Sequence, residues 1–138
     1  MEIETICQLF LATLLGALIG LEREIKRREA GLQTYSLVAL GSCLFTTVGF
    51  LLTKSLNSDP APLFIAIGVG MGFIGAGTIF RTENRITGLT TAAGLWVTAA
   101  IGLAVGAQFY LLAFFTTFLI LLILAGFGLL EEKIFKRE

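Results

Sequence analysis

Histidine is absent from this chain of 138 residues, cysteine and proline occur twice each, and only 14% of the residues are charged. Without histidine there is no zinc-type ligand set and no Cys–His pair for nucleophilic catalysis. Cys7 and Cys43 lie inside apolar runs and read as small packing residues. Neither a metal site nor a cofactor is expected. The formal net charge is zero, so no overall field recruits nucleic acid. Charge is also missing from the interior of every long apolar run, which argues against a proton- or cation-coupled carrier. No run offers a paired acid and base, or a nucleophile beside its base, so enzymatic chemistry is not expected. A basic leader is missing too. Glu2 and Glu4 precede the apolar stretch Ile3–Leu21, and Glu22 and Arg23 follow it, so it reads as a retained helix rather than a cleaved signal.

What is present is apolar: 56% of the residues are hydrophobic, and the mean hydropathy is +0.89. A soluble domain carries about a quarter charged residues, so this composition does not suit a surface facing water. Five candidate spans follow, each near the length that crosses a bilayer core: Ile3–Leu21, Tyr35–Leu52, Leu63–Phe80, Leu89–Val105 and Tyr110–Leu130. The expectation is an all-α membrane protein, a five-helix bundle forming one domain over residues 1–138. Charged residues make the first break, Asn57, Asp59, Pro60 and Pro62 the second, and Arg81 to Gly88 the third. The fourth is only a tight turn at Gly106-Ala107-Gln108. With five spans, nine Lys and Arg residues fall on one side and Lys54 alone on the other. By the positive-inside rule the N-terminus is outside and the C-terminus cytoplasmic.

The stretch "GVGMGFIGAGTIF", Gly68–Phe80, contains G-x-G-x-x-G at Gly70, Gly72 and Gly75. A dinucleotide fingerprint needs a preceding strand and an acidic residue about 20 positions on. Neither is here, since Gly88 to Trp96 holds no Asp or Glu. Helix packing is the better account, because small residues let backbones approach closely in lipid. Spaced by four, they line one face of a helix. Ala12, Gly16 and Gly20 do so in the first span, Gly68, Gly72 and Ala76 in the third, and Gly94, Thr98, Gly102 and Gly106 in the fourth. The expected core is therefore helices one, three and four, with two and five facing lipid. Gly70, Gly75 and Gly77 lie off the seam of the third span and leave a broken helix open as an alternative. A pore-filter use of "GVGMG" is a rival.

Polar residues converge where the spans meet on the cytoplasmic side. Glu22, Arg23, Gln33, Thr34, Arg81, Glu83, Asn84, Arg85, Thr87, Thr90 and Thr91 all map there. "TGLTTAAGLW" reads as a helix start, with Thr87 or Thr90 as cap, and its free N–H groups favour an anion. An anion- or partner-binding pocket is expected from Glu22, Arg23, Thr34, Arg81, Arg85, Thr90 and Thr91. The plainer reading is a structural pair between Glu22 and an Arg of another helix, with "EREIKRREAG" a solvated helical extension holding (i, i+4) pairs such as Glu22–Lys26.

Four blocks, "LLGALIGLERE" (Leu14–Glu24), "AGLQTYSLVALGS" (Ala30–Ser42), "MGFIGAGTI" (Met71–Ile79) and "GLTTAAGLWVTAAIGLAVG" (Gly88–Gly106), resemble the MgtC/SapB family of bacterial inner-membrane proteins. The resemblance implies a small multi-pass protein with a periplasmic N-terminus. It also implies a role in growth under magnesium limitation, and in some members in virulence or acid tolerance. It implies action on other membrane proteins, with inhibition of the F-type ATP synthase in some members, and not established magnesium transport. Gln33 stands where members often carry Arg in a "GLRT" block, so any pairing by that Arg is lost. After "EEKIFKRE" no counterpart of the soluble C-terminal domain that many members carry is expected. The expected function is non-enzymatic modulation of membrane machinery or of magnesium and acid-stress homeostasis. The expected partners are the lipid bilayer, a membrane protein and further copies of the chain. The alternative is a small-ion transporter or channel lined by Glu22, Arg81 and the third span.

Overall fold

A computed structural model describes residues 2–128. Five helices run α1 (Glu2–Ile25), α2 (Leu32–Leu56), α3 (Ala61–Ala76), α4 (Leu89–Gly106) and α5 (Tyr110–Leu121). The last continues as a π-helical segment, Leu122–Phe127. Four of these stretches, Glu2–Ile25, Leu32–Leu56, Leu89–Gly106 and Tyr110–Phe127, are long and apolar enough to cross a membrane. The molecule is an all-α membrane bundle, as the apolar runs foretold. Leu129 and Leu130 of the fifth expected span, and the basic tail, lie outside the described residues.

The third span departs from expectation. Its helix covers Ala61–Ala76, 16 residues, and stops four residues short of Phe80. At 1.5 Å per residue that is about 24 Å, less than a hydrocarbon core of about 30 Å. Gly77 closes it, and the Thr78 hydroxyl donates to the Gly75 carbonyl. The chain then forms a small antiparallel hairpin, β1 (Phe80–Arg81) with β2 (Ile86–Thr87), in which Phe80 pairs with Thr87. Gly70, Gly72 and Gly75 all lie inside regular helix. That disposes of both the dinucleotide turn and a break within α3.

The core corrects the expected arrangement of helices. The small residues of α1 and α4 face α2, not α3. A methyl group added at Gly16 would come within 2.6 Å of the Tyr35 carbonyl oxygen, and one at Gly20 within 2.7 Å of Leu32 Cα. At Gly94 it would lie 2.6 Å from the Tyr35 hydroxyl, at Gly106 2.7 Å from the Cys43 carbonyl, and at Gly102 against the Ala39 carbonyl. Helix α2 is thus the centre of the bundle. Its stripe of Tyr35, Ala39, Ser42, Cys43 and Thr46 is buried. Gly68 and Gly72, by contrast, have nothing within 4 Å of an added Cβ, and Ala76 is exposed. The third seam is unfilled because α3 approaches α4 through Gly75, one position off that stripe, where an added Cβ would lie 3.5 Å from Ala92.

Polar groups inside the bundle are consumed locally. Thr46, Thr47, Thr98 and Thr117 each donate to the carbonyl four residues back. Ser42 reaches across to the Ala99 carbonyl at 2.5 Å, tying α2 to α4. At one end of the bundle Gln8 donates to the Tyr110 hydroxyl, linking α1 to α5. At the other end the C-termini of α1 and α3 meet the N-termini of α2 and α4, and this end carries the candidate site.

Candidate functional site

Helix α1 ends in three charges, Glu22, Arg23 and Glu24, and each is directed by its place on the last turn. Arg23 faces inward: its side chain is only 4% exposed. Its Nη2 donates to Thr91 Oγ1 at 3.3 Å, and the Thr91 hydroxyl donates to Glu29 Oε2 at 2.8 Å. Three separate segments, the end of α1, the loop before α2 and the first turn of α4, are joined through one buried hydroxyl. Tyr35 adds a third contact, donating to the Thr91 carbonyl at 3.4 Å. Glu24 turns the other way and accepts from the Leu32 N–H at 3.1 Å. It thereby caps α2, whose own N-cap, Gly31, has no capping side chain.

Glu22 lies beside Arg23 at 3.6 Å and Lys26 at 2.8 Å, so the (i, i+4) pair exists. Both contacts are ionic without hydrogen-bond geometry. The two Glu22 carboxylate oxygens and Arg23 Nε are buried and make no hydrogen bond among the described residues. Lys26 Nζ instead donates to the Leu124 carbonyl at 2.8 Å, inside the π-helical segment. Glu29 sits in the loop, and its carboxyl is held below the ordinary value of 4.5. Its own backbone N–H is the first cause and the Thr91 hydroxyl the second; partial burial opposes them, and Arg28 and Arg23 add attraction.

Around this junction lies a cavity of about 700 Å³, whose wall includes Arg23, Lys26, Arg28, Glu29, Thr90 and Thr91. The start of α4 forms part of that wall. The N-cap is Gly88, in the left-handed region at φ 86°, and it offers no side-chain cap. Thr87 and Thr90, expected as caps, do not cap: Thr87 belongs to β2 and Thr90 is exposed within the helix. Glycine is required at 88, because a Cβ there would run into the Thr78 carbonyl. This close approach holds the hairpin against the helix start.

Of the residues expected in a pocket, Arg23, Thr90 and Thr91 line the cavity, and Glu22 lies directly behind Arg23. Arg81 and Arg85 are carried outward on the exposed hairpin and are not on the cavity wall. Thr34 faces a different space, an apolar groove of about 600 Å³ between α2 and α3. The cavity wall also includes Lys26, Arg28 and Glu29, which were not among the expected pocket residues. Their signal was proximity in sequence to Arg23. Among the described residues no group of three His, Cys, Asp or Glu side chains is placed to hold a metal ion.

Comparison with known proteins bears on this arrangement. The family model described as "MgtC family" matches residues 9–133. The chain is 39% identical to YhiD of Escherichia coli (strain K12), which bears a provisional name as a magnesium transporter. That match covers 100% of this chain and 67% of the relative. It is 43% identical to SapB of Bacillus subtilis (strain 168), over 86% of this chain and 54% of the relative. With MgtC of Brucella abortus (strain 2308) the identity is 45%, over 70% of this chain and 40% of the relative. The chain therefore spans between two fifths and two thirds of these relatives. No solved structure matches it.

Proposed function

Since the chain belongs to the MgtC family, we propose that it is a non-enzymatic, multi-pass protein of the bacterial inner membrane that adjusts other membrane machinery when magnesium is scarce. The observation that carries this reading is the distribution of charge. Among the described residues every Asp, Glu, Lys and Arg sits in a terminal turn or a connection. Mid-bundle polarity is limited to hydroxyls spent on carbonyls. Ion-coupled carriers place ionisable groups along the path, and this bundle has no such row. The polar machinery is concentrated instead at the end built on Arg23, Thr91 and Glu29, which suits contact with a membrane-protein partner. The gathering of Arg23, Lys26, Arg27, Arg28, Arg81 and Arg85 at that end, against Lys54 at the other, supports a cytoplasmic placement of that end.

Transport is the second reading, favoured by the name of the YhiD relative. Reconstitution into vesicles loaded with a magnesium-sensitive dye separates the two. The proposal expects no flux above empty vesicles, and flux above that leak overturns it. Affinity capture from native membranes of cells grown at low magnesium should retain a partner with the natural chain and lose it with Arg23→Gln.

A further inference from the structure

We infer that the cavity at the Arg23–Thr91 junction binds the phosphate group of an anionic amphiphile. This deepens the reading of that end as the working end of the molecule. Three independent observations converge on it. The side chain of Arg23 lines the cavity, is 4% exposed and keeps a buried Nε without a hydrogen-bond partner. An unpaired polar atom at that depth is the kind of group a ligand satisfies. The second observation is the start of α4, an 18-residue helix. Its first N–H groups have no carbonyl one turn back, and Gly88 brings no side chain to cap them. The third is the pairing of free charge with apolar wall. Among the described residues the Arg28 side chain makes no hydrogen bond and only a long-range attraction to Glu29, and Ile86, Leu89 and Phe127 stand more than half exposed on the same cavity.

The chemistry favours an anion over a cation. Three basic side chains line the space against one carboxylate, Glu29, and that carboxylate already accepts the Thr91 hydroxyl. Lys26 is committed to Glu22 and to the Leu124 carbonyl, which leaves Arg23 Nε, Arg28, the Thr90 hydroxyl and the helix N–H groups to meet the ligand. A phosphate diester has the charge and the acceptor oxygens for this set, and an attached acyl or glycerol body would lie on the apolar wall. A phospholipid headgroup and free phosphate share that chemistry.

Native mass spectrometry of the full chain in detergent tests the inference, with phosphatidylglycerol, phosphatidylcholine and inorganic phosphate as separate probes. Preferential retention of phosphatidylglycerol over phosphatidylcholine is expected. It should weaken about fivefold in Arg28→Gln, the effect of one basic group at an anionic surface, and stay unchanged in Lys54→Gln at the opposite end. Binding of inorganic phosphate with the same Arg28 dependence, and no lipid preference, assigns the site to a free anion and also upholds it. Equal loss in the two variants, or no binding of either anionic probe, overturns it. Both variants alter exposed residues, so folding is not at issue. Retention of lipid with no captured partner would sink the proposed function alone, and the reverse would sink this inference alone.

Discussion

Helices α1 and α4 carry small residues four apart, and so does α3, yet the two groups meet different surroundings. In the first group a methyl added at Gly16, Gly102 or Gly106 would strike the backbone of α2. In α3 one added at Gly68, Gly70 or Gly72 would meet nothing within 4 Å. The spacing creates a smooth face in every case. Whether that face is filled depends on a complementary partner, and α2 supplies one with Tyr35, Ala39, Ser42, Cys43 and Thr46. A small-residue seam is a capacity for close approach, and the identity of the neighbour is written on the neighbour.

Substitutions graded along this contrast test it. Gly102→Leu should be the most damaging, because the Ala39 carbonyl is backbone and cannot swing aside. A loss of about 3 kcal/mol is expected from overpacking, seen as a lower unfolding midpoint in detergent; an unchanged midpoint would break the claim that α4 touches α2 here. Gly88→Ala should cost about 2 kcal/mol, since φ 86° is strained for any other residue and Thr78 blocks the Cβ. The same melting experiment reads it.

Thr91→Val keeps the shape but removes the hydroxyl between Arg23 and Glu29. About 1.5 kcal/mol should be lost, because the buried guanidinium loses its acceptor. If the midpoint does not move, the junction is not a structural tie. Glu29 gives a smaller, pH-dependent effect. Its folded pKa lies below 4.5, so its contribution is present above the unfolded value and lost as pH falls through the folded one. The natural chain should therefore lose stability relative to Glu29→Gln on acidifying below about pH 4.5, and parallel curves would refute the pairing. Last, Gly72→Ala should change the midpoint by less than about 1 kcal/mol, in the stabilising direction set by helix propensity. A large loss would mean that α3 is covered after all.

The number of helices, most boundaries and the seams of α1 and α4 were legible because bilayer length and four-residue spacing act locally. The centrality of α2 was not read, although its small-residue stripe was in plain view. Glycine marks the seams of α1 and α4, whereas this face is built from alanine, serine, cysteine and threonine around a tyrosine. At the polar end, the grouping of Arg23, Thr90 and Thr91 on one cavity wall follows from their places on helix ends. Arg81 and Arg85 stand off that wall because a two-residue β-ladder after α3 carries them outward, and nothing in a polar loop announces so short a hairpin. Lys26 was legible as the partner of Glu22 but not as a tie to the last helix, because its acceptor, the Leu124 carbonyl, lies 98 positions away.

That acceptor belongs to the π-helical segment Leu122–Phe127, and its winding has a mechanical meaning. A π turn takes in more chain than an α turn, so the final helix is threaded with slack. Deleting one residue there would restore the tighter screw within Leu122–Phe127. The Leu124 oxygen would then rotate off Lys26, uncoupling the last helix from the tip of the first. The extra winding acts as a gear tooth, meshing the final helix with the end of α1.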